Sequence, residues 1–388
     1  MKKKNLKDTY LVLATIGLTI PALGGCGNVA QAASNAETVG TQSISEQTDN
    51  GAGISGENGN DQTVETNLIF GTDPVTGEKY PEEIKIAILN GSSIDAIANA
   101  EGYYDVFEEK TGVKTTILYF ESGRDVNNAY ASNSVDVATF GSSPITLGTT
   151  NELGYEVVFL NATIGESEAL AVRSDIQTPE QLSGKTIATP FASTSHFSLL
   201  NYLNSVGVAD VQVIDLQPQD ILAAWQRGDI DGAYVWPPVL AEIENEGNVL
   251  VTSADLAADG IITADLTTAY KTFSQKYPTL VTEYLDIQSK VYDVINNDRE
   301  RAVADLEDKL QIDEETAKKQ LEGSVWISPE DQVNEKYLGS GNGESGLANT
   351  IRDTAEFHVT QGNLERAKTL EEYNEDVNPL YIQRLLEK

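Results

Sequence analysis

From Glu83 to Ser253 the chain alternates short apolar runs with helical patterns, and it does so twice. EIKIAIL, TTILYF, VDVATF and YEVVFLNA each carry the aliphatic and aromatic density of a buried strand. Three helical patterns lie between them. One starts near Ser92 or Ser93 and stops at Gly112, the second is SGRDVNNAYASN, and the third is GSSPITLGTTNELG. The last has Ser143 as N-cap and Pro144 in its first turn. After Arg173 the pattern restarts. TPEQL opens a short helix, and KTIATPF, VQVIDL, DIDGAYVW and NVLVTS read as strands. STSHFSLLNYLNSVGV, PQDILAAWQRG and PPVLAEIENEG read as the helices between them. Such alternation predicts parallel sheets covered by helices, in two α/β units in series. From about Lys271 to Lys388 the chain becomes mainly helical.

The segment ahead of this body is of another kind. MKKKNLK is a basic start and YLVLATIGLTIPAL an apolar run too short to span a bilayer comfortably. Leu23-Gly24-Gly25-Cys26 resembles the bacterial lipobox, so residues 1–26 are expected to be a lipoprotein signal peptide and Cys26 the lipidated residue. Cys26 is the only cysteine, which excludes an intramolecular disulfide. Residues 27–79 are rich in Gly, Ser, Asn, Thr and acids, with no Lys or Arg before Lys79. A disordered, self-repelling tether reaching roughly 40 Å is expected there. The net charge of −34 argues against nucleic acid as a partner, because phosphate binding needs a positive field.

In open α/β sheets ligands bind beyond the carboxyl ends of the strands. Small polar residues gather at several of these ends: Ser122-Gly123, Gly141-Ser142-Ser143, and Ser193-Thr194-Ser195-His196. A helix start offers unpaired N–H groups and a partial positive charge, and so binds anions. Ordinary N-capping explains any one junction equally well. Trp236 at a strand end either walls a pocket or packs between units, and Trp225, mid-helix, reads as core. Glu168 interrupts an apolar stretch and Asp265 lies in GIITADLTTAY. There is no P-loop, no dinucleotide turn, no GxSxG elbow and no HExxH or CxxC pairing. No metal, no cofactor and no catalytic residue is expected.

FGSSP, IGESEALAVR, PFASTSHFSLL and LQPQDILAAWQRGDIDGAYVWPPV resemble the taurine-binding proteins of ABC importers, within the group that takes up sulfonates, nitrate and similar anions. The resemblance runs from about Ile84 to DTAEFHVTQGNL, nearly the whole folded body. It implies a type II periplasmic-binding fold: two α/β lobes, two crossover segments, and a ligand cleft between them. Lobe 1 would take residues 80–172, lobe 2 residues 173–262, and residues 263–388 would return to lobe 1 and add C-terminal helices. It implies a lipid-anchored monomer on the outer face of a bacterial membrane, passing taurine or a related sulfonate to a permease and its ATPase. Receptors for other alkanesulfonates or small anions, or an enzyme like a pyrimidine-precursor synthase on the same fold, are the alternatives.

The resemblance also implies roles. Ser142, Ser143, Ser193, Thr194 and Ser195, with His196, would hold the sulfonate. Asp265, with Glu168 close behind, would meet the ammonium, and Tyr234 and Trp236 would wall the alkyl chain. The chain departs from the family at two places near this pocket. Thr267 and Thr268 stand where a tryptophan is frequent, and YVWPP replaces a YVWAP-like stretch.

Overall fold

The computed structural model describes residue 69, residues 71–341, residue 343 and residues 345–388. The signal segment, Cys26 and the tether as far as residue 68 lie outside the described residues. Residues 71–79, assigned from sequence to the tether, belong to the folded body. Thr72 bridges Lys79, and the fully buried Asp73 accepts from the backbone N–H of Val75 (2.9 Å) and of Thr279 (2.8 Å).

The chain runs β1 (Glu83–Leu89), α1 (Ser93–Ala100), α2 (Tyr103–Thr111), β2 (Lys114–Phe120), α3 (Gly123–Ala131), β3 (Val137–Gly141), α4 (Ser142–Thr150) and β4 (Tyr155–Ile164). The single helix expected between β1 and β2 is two helices. Gly102 takes a left-handed φ of 68° and turns the chain between them. The second unit runs β5 (Ala169–Arg173), a 3-10 turn at Pro179–Leu182, β6 (Thr186–Thr189), α5 (Thr194–Val206), β7 (Gln212–Asp215), α6 (Pro218–Arg227), β8 (Gly232–Val235), α7 (Val239–Glu244), β9 (Gly247–Thr252) and α8 (Ser253–Ala258). Then come β10 (Ala264–Tyr270), α9 (Lys271–Lys276), α10 (Pro278–Asn297), α11 (Arg299–Leu310), α12 (Glu314–Glu322), β11 (Ser324–Trp326), α13 (Gly346–Thr360), α14 (Leu370–Asn374) and α15 (Leu380–Leu386).

Two sheets result, ordered β2-β1-β3-β10-β4-β11 and β7-β6-β8-β5-β9. β1 pairs in parallel with β2 and β3, and β6 with β7 and β8. In each sheet the strand that arrives from the other lobe, β10 or β5, is inserted antiparallel to both neighbours. This is the two-lobe α/β architecture of the periplasmic-binding fold.

The second sheet shows the two-residue period of a strand buried on both faces. Leu170, Val172, Ile187 and Tyr234 face one core, and Ala169, Ala171, Ala188, Ala233 and Val235 face the other. Because Ala169 already pairs with Val235, lobe 2 begins at β5, ahead of Arg173. The crossover is Gly165–Glu168, the polar interruption between two apolar runs. The carbonyl of Gly323 accepts from the backbone N–H groups of Gly165 (3.0 Å) and Ser167 (2.9 Å), strapping this crossover to the C-terminal segment. The last residues return to lobe 1: Val157 N–H donates to Asp376 O, and Asn378 N–H to Val157 O, both at 2.8 Å.

Candidate functional site

The starts of four helices converge. α1, α3 and α4 begin at the carboxyl ends of β1, β2 and β3, and α5 begins just beyond β6 in the other lobe. They meet around a cavity of about 120 Å³, lined among others by Ser92, Ser93, Gly123, Gly141, Ser193 and Thr194. The lobes touch at its rim. A Cβ on Gly141 would lie 2.8 Å from Thr194 Cγ2, and one on Gly91 would lie 3.2 Å from Pro238 Cδ. Outside the cavity, Arg124 Nη1 donates to Asp215 Oδ2 at 2.6 Å, and Gln217 Nε2 donates to Asp125 Oδ2 at 3.2 Å, each from one lobe to the other.

Two carboxylates line the cavity, Glu168 from the first crossover and Asp265 from β10. Glu168 is 4% exposed. Its Oε1 accepts from Thr194 Oγ1 at 2.5 Å, and its buried Oε2 has no partner among the described residues. Asp265 is partly buried and takes no hydrogen bond from any described residue. Burial pushes Glu168 up to about 8; the Thr194 hydroxyl opposes the rise and the Asp265 charge adds to it. Burial alone raises Asp265 to about 6. Among the described residues no Lys, Arg or His lines the cavity. A cavity with helix starts on its walls and two unmatched carboxyl groups suits a small ligand with an anionic and a cationic end.

Of the residues named from sequence, Glu168, Ser193, Thr194, Trp236 and Asp265 line the cavity. Ser142, Ser143, Ser195, His196 and Tyr234 do not. α4 starts two residues earlier than its capping pattern suggests, with Gly141 as N-cap. Ser143 therefore lies inside the first turn, and its Oγ meets His358 Nε2 at 3.0 Å. Ser142 Oγ accepts from Ala264 N–H at 3.1 Å and ties α4 to the residue before Asp265. Ser195 Oγ is buried without a hydrogen-bond partner among the described residues.

His196 Nδ1 accepts from Ala192 N–H at 3.3 Å while its ring stacks on Phe191, centroids 4.4 Å apart. Burial lowers it to about 4, so it carries no charge at neutral pH. Tyr234 points into the lobe 2 core and bonds Ser253 Oγ at 2.9 Å. The buried Ser143–His358 pair has Asn363, not a carboxylate, 3.3 Å from His358 Nδ1. It lacks the orienting acid of a nucleophile–base pair.

The expected hydroxyl clamp is largely committed within the protein. Ser193 Oγ donates to Pro190 O (2.6 Å) and accepts from His196 N–H (3.0 Å), while Thr194 Oγ1 donates to Glu168. The free donors come from elsewhere. Ser92 Oγ accepts from Asp95 N–H, and Ser93 Oγ accepts from Gln320 Nε2 at 2.9 Å. A hydroxyl that accepts keeps its own proton to give. Gln320 Nε2 also donates to Gly91 O at 2.7 Å, so α12 holds the β1–α1 turn from behind. Trp326 joins Trp236 in the wall. Thr267 and Thr268, where the resemblance leads one to look for tryptophan, are fully buried and bond Thr139 (2.9 Å) and Tyr130 (2.7 Å).

Two α/β lobes closing on one small polar cavity define a solute-binding protein. A family model described as the substrate binding domain of ABC-type glycine betaine transport systems matches residues 82–322, more than half of the chain, and the chain belongs to that family. It is 33% identical over 310 residues to the taurine-binding periplasmic protein of Escherichia coli (strain K12), covering 77% of this chain and 92% of that one.

Solved structures share the fold. The alkanesulfonate-binding protein of Xanthomonas axonopodis pv. citri, bound to MOPS, superposes with a TM-score of 0.65 at 16% identity, covering 76% of this chain and 98% of that one. The periplasmic aliphatic sulphonate binding protein of Escherichia coli gives 0.61 at 20% identity, covering 76% and 92%. The chain is thus a substrate-binding protein of the sulfonate and taurine import group. No helix among the described residues is long and apolar enough to cross a membrane.

Proposed function

We propose that the protein is an extracytoplasmic receptor that captures taurine between its lobes and delivers it to an ABC permease and its ATPase. The observation that carries this reading is the pair Glu168 and Asp265 in a cavity that no described cationic side chain lines, with the starts of α1 and α5 on its walls and Glu168 beside the start of α5. Taurine has a sulfonate and a primary ammonium two methylenes apart. The sulfonate suits the N–H groups of α1 and α5 and the free protons of Ser92 and Ser93. The ammonium suits the two carboxylates, and Trp236 and Trp326 cover the short chain between. A quaternary ammonium has no N–H to give, so it would leave Glu168 Oε2 unbonded. An alkanesulfonate without an amine would leave both carboxyl groups unmatched.

Calorimetric titration of taurine, ethanesulfonate and glycine betaine tests this. Taurine is expected to bind well over tenfold more tightly than the other two, and equal affinities would sink the assignment. Asp265→Asn is expected to weaken taurine by ~2–5 kcal/mol, since it removes one charge partner of a buried cation. Unchanged affinity would remove Asp265 from the contact.

The lipobox-like Leu23–Cys26 supports anchoring at Cys26 to the outer face of the membrane, with residues beyond it as tether. Cys26→Ala is expected to move the protein from the membrane fraction to the soluble one.

A further inference from the structure

We infer that Glu168 and Asp265 together hold one proton in the free protein, that an ammonium-bearing ligand displaces it, and that ligand selectivity therefore changes with pH. This rests on the reading of the cavity as a site for a zwitterion. The two side chains come from different segments, the first crossover and β10, yet line one small cavity. The hydroxyl of Thr194 satisfies one oxygen of Glu168, and no described residue completes a hydrogen bond to the other, although the Ser195 hydroxyl lies close enough to favour the carboxylate.

Among the described residues no Lys, Arg or His lines the cavity that holds the pair. α5 presents only hydroxyls, Thr194 and Ser195. From β10 comes Asp265, a second acid. From β8 comes the Tyr234 phenol, which stays protonated because burial raises it far above its ordinary value. α8 packs behind with Ser253, whose backbone N–H donates to Glu168 O at 2.8 Å. Two acids lining one small cavity cannot both ionise cheaply, so the more buried one keeps its proton. Its rise to about 8 agrees with that geometry.

The exchange balances. The protonated pair and taurine, with its ammonium, give a complex of carboxylate pair and ammonium plus one released proton. Taurine binding therefore strengthens as pH rises toward 8, by about tenfold per unit while the proton is fully held. An amine-free sulfonate brings no cation, so its complex retains the proton, and its affinity stays flat while the free protein also holds that proton and falls only above about pH 8. Selectivity for taurine over an amine-free sulfonate therefore rises from pH 6 to pH 8.

The free protein carries a matching signature. Glu168 titrates higher when folded than its ordinary value of 4.5, so the folded state binds more protons between about 4.5 and 8. The stability from this group is complete below that range and is lost as pH rises through it.

Titration of the full chain with taurine, in two buffers of different protonation heat, reads the proton directly. Close to one proton released at pH 7 is expected, with affinity rising from pH 6 to pH 8. Tight taurine binding with no proton released would overturn the inference and leave the taurine assignment standing.

Thermal melts without ligand read the held proton independently of any ligand. Wild type is expected to lose stability from pH 5 to pH 8 relative to Glu168→Gln, and parallel profiles would overturn the inference. Where Glu168→Gln folds poorly, Asp265→Asn serves: its fall is expected at lower pH than in wild type, because a like charge is gone, and an unmoved fall counts against the shared proton. Divergent melts without taurine binding would uphold the held proton and refute taurine as the ligand.

Discussion

Gln320 shows how a single side chain far along the chain can shape a binding turn. Its amide nitrogen reaches from α12 to Gly91 O and Ser93 Oγ, fixing the turn whose hydroxyls face the cavity. Gln320→Leu keeps the bulk and removes both bonds. Taurine affinity is expected to fall roughly tenfold, ~1–1.5 kcal/mol, the worth of such a hydrogen bond. Ethanesulfonate should lose as much, because the turn serves the anionic end. A loss confined to taurine would place Gln320 at the ammonium instead.

Glu168 and Asp265 were legible in the sequence as acids in apolar surroundings. Ser92, Ser93 and Gln320 were not legible as site residues. The serines looked like ordinary helix starts, and nothing local says that a C-terminal helix reaches the cleft. In the hydroxyl cluster at Ser193–Ser195, the Ser193 and Thr194 protons go to Pro190 and Glu168, a pairing that only the folded positions reveal.

Among the elements, helix starts would carry the proposed anion binding, and Gly141 lets two of them approach. It caps α4 with an ordinary φ of −71°, so its lack of a side chain matters for space alone. Gly141→Ala would press a methyl against the buried Thr194 and hold α4 from α5. Overpacking of this kind costs ~1–3 kcal/mol. Weaker taurine binding with an unchanged circular dichroism spectrum is expected, and wild-type affinity would show that the lobes do not need this approach.

Strand–helix alternation made eight of the eleven described strands readable; β5, β10 and β11 were not read as strands. Boundaries were less readable. The apolar runs of β4 and β5 differ little in composition, and only their pairing partners assign them to different sheets. The break at Gly102 depends on one left-handed residue inside a pattern that otherwise continues.

For the whole molecule, the described body is two lobes drawn together. Arg124–Asp215 spans them as a pair about one third exposed on each side, worth at most ~1 kcal/mol and weakened by salt. Contacts that weak suit a protein that must open again to release its cargo. The strap at Gly323, with Ser167 Oγ and Ser324 Oγ 2.9 Å apart, fixes the crossover that carries Glu168. In the proposed complex Glu168 would meet the ammonium from a braced segment, and the anion donors would come from the two lobes.

The structure of the taurine complex tests the central claim most directly. The sulfonate is expected against the starts of α1 and α5, within hydrogen-bond reach of Ser92 or Ser93, and the ammonium between Glu168 and Asp265. A ligand bound in the reverse sense, or with its ammonium away from both carboxylates, would contradict the account.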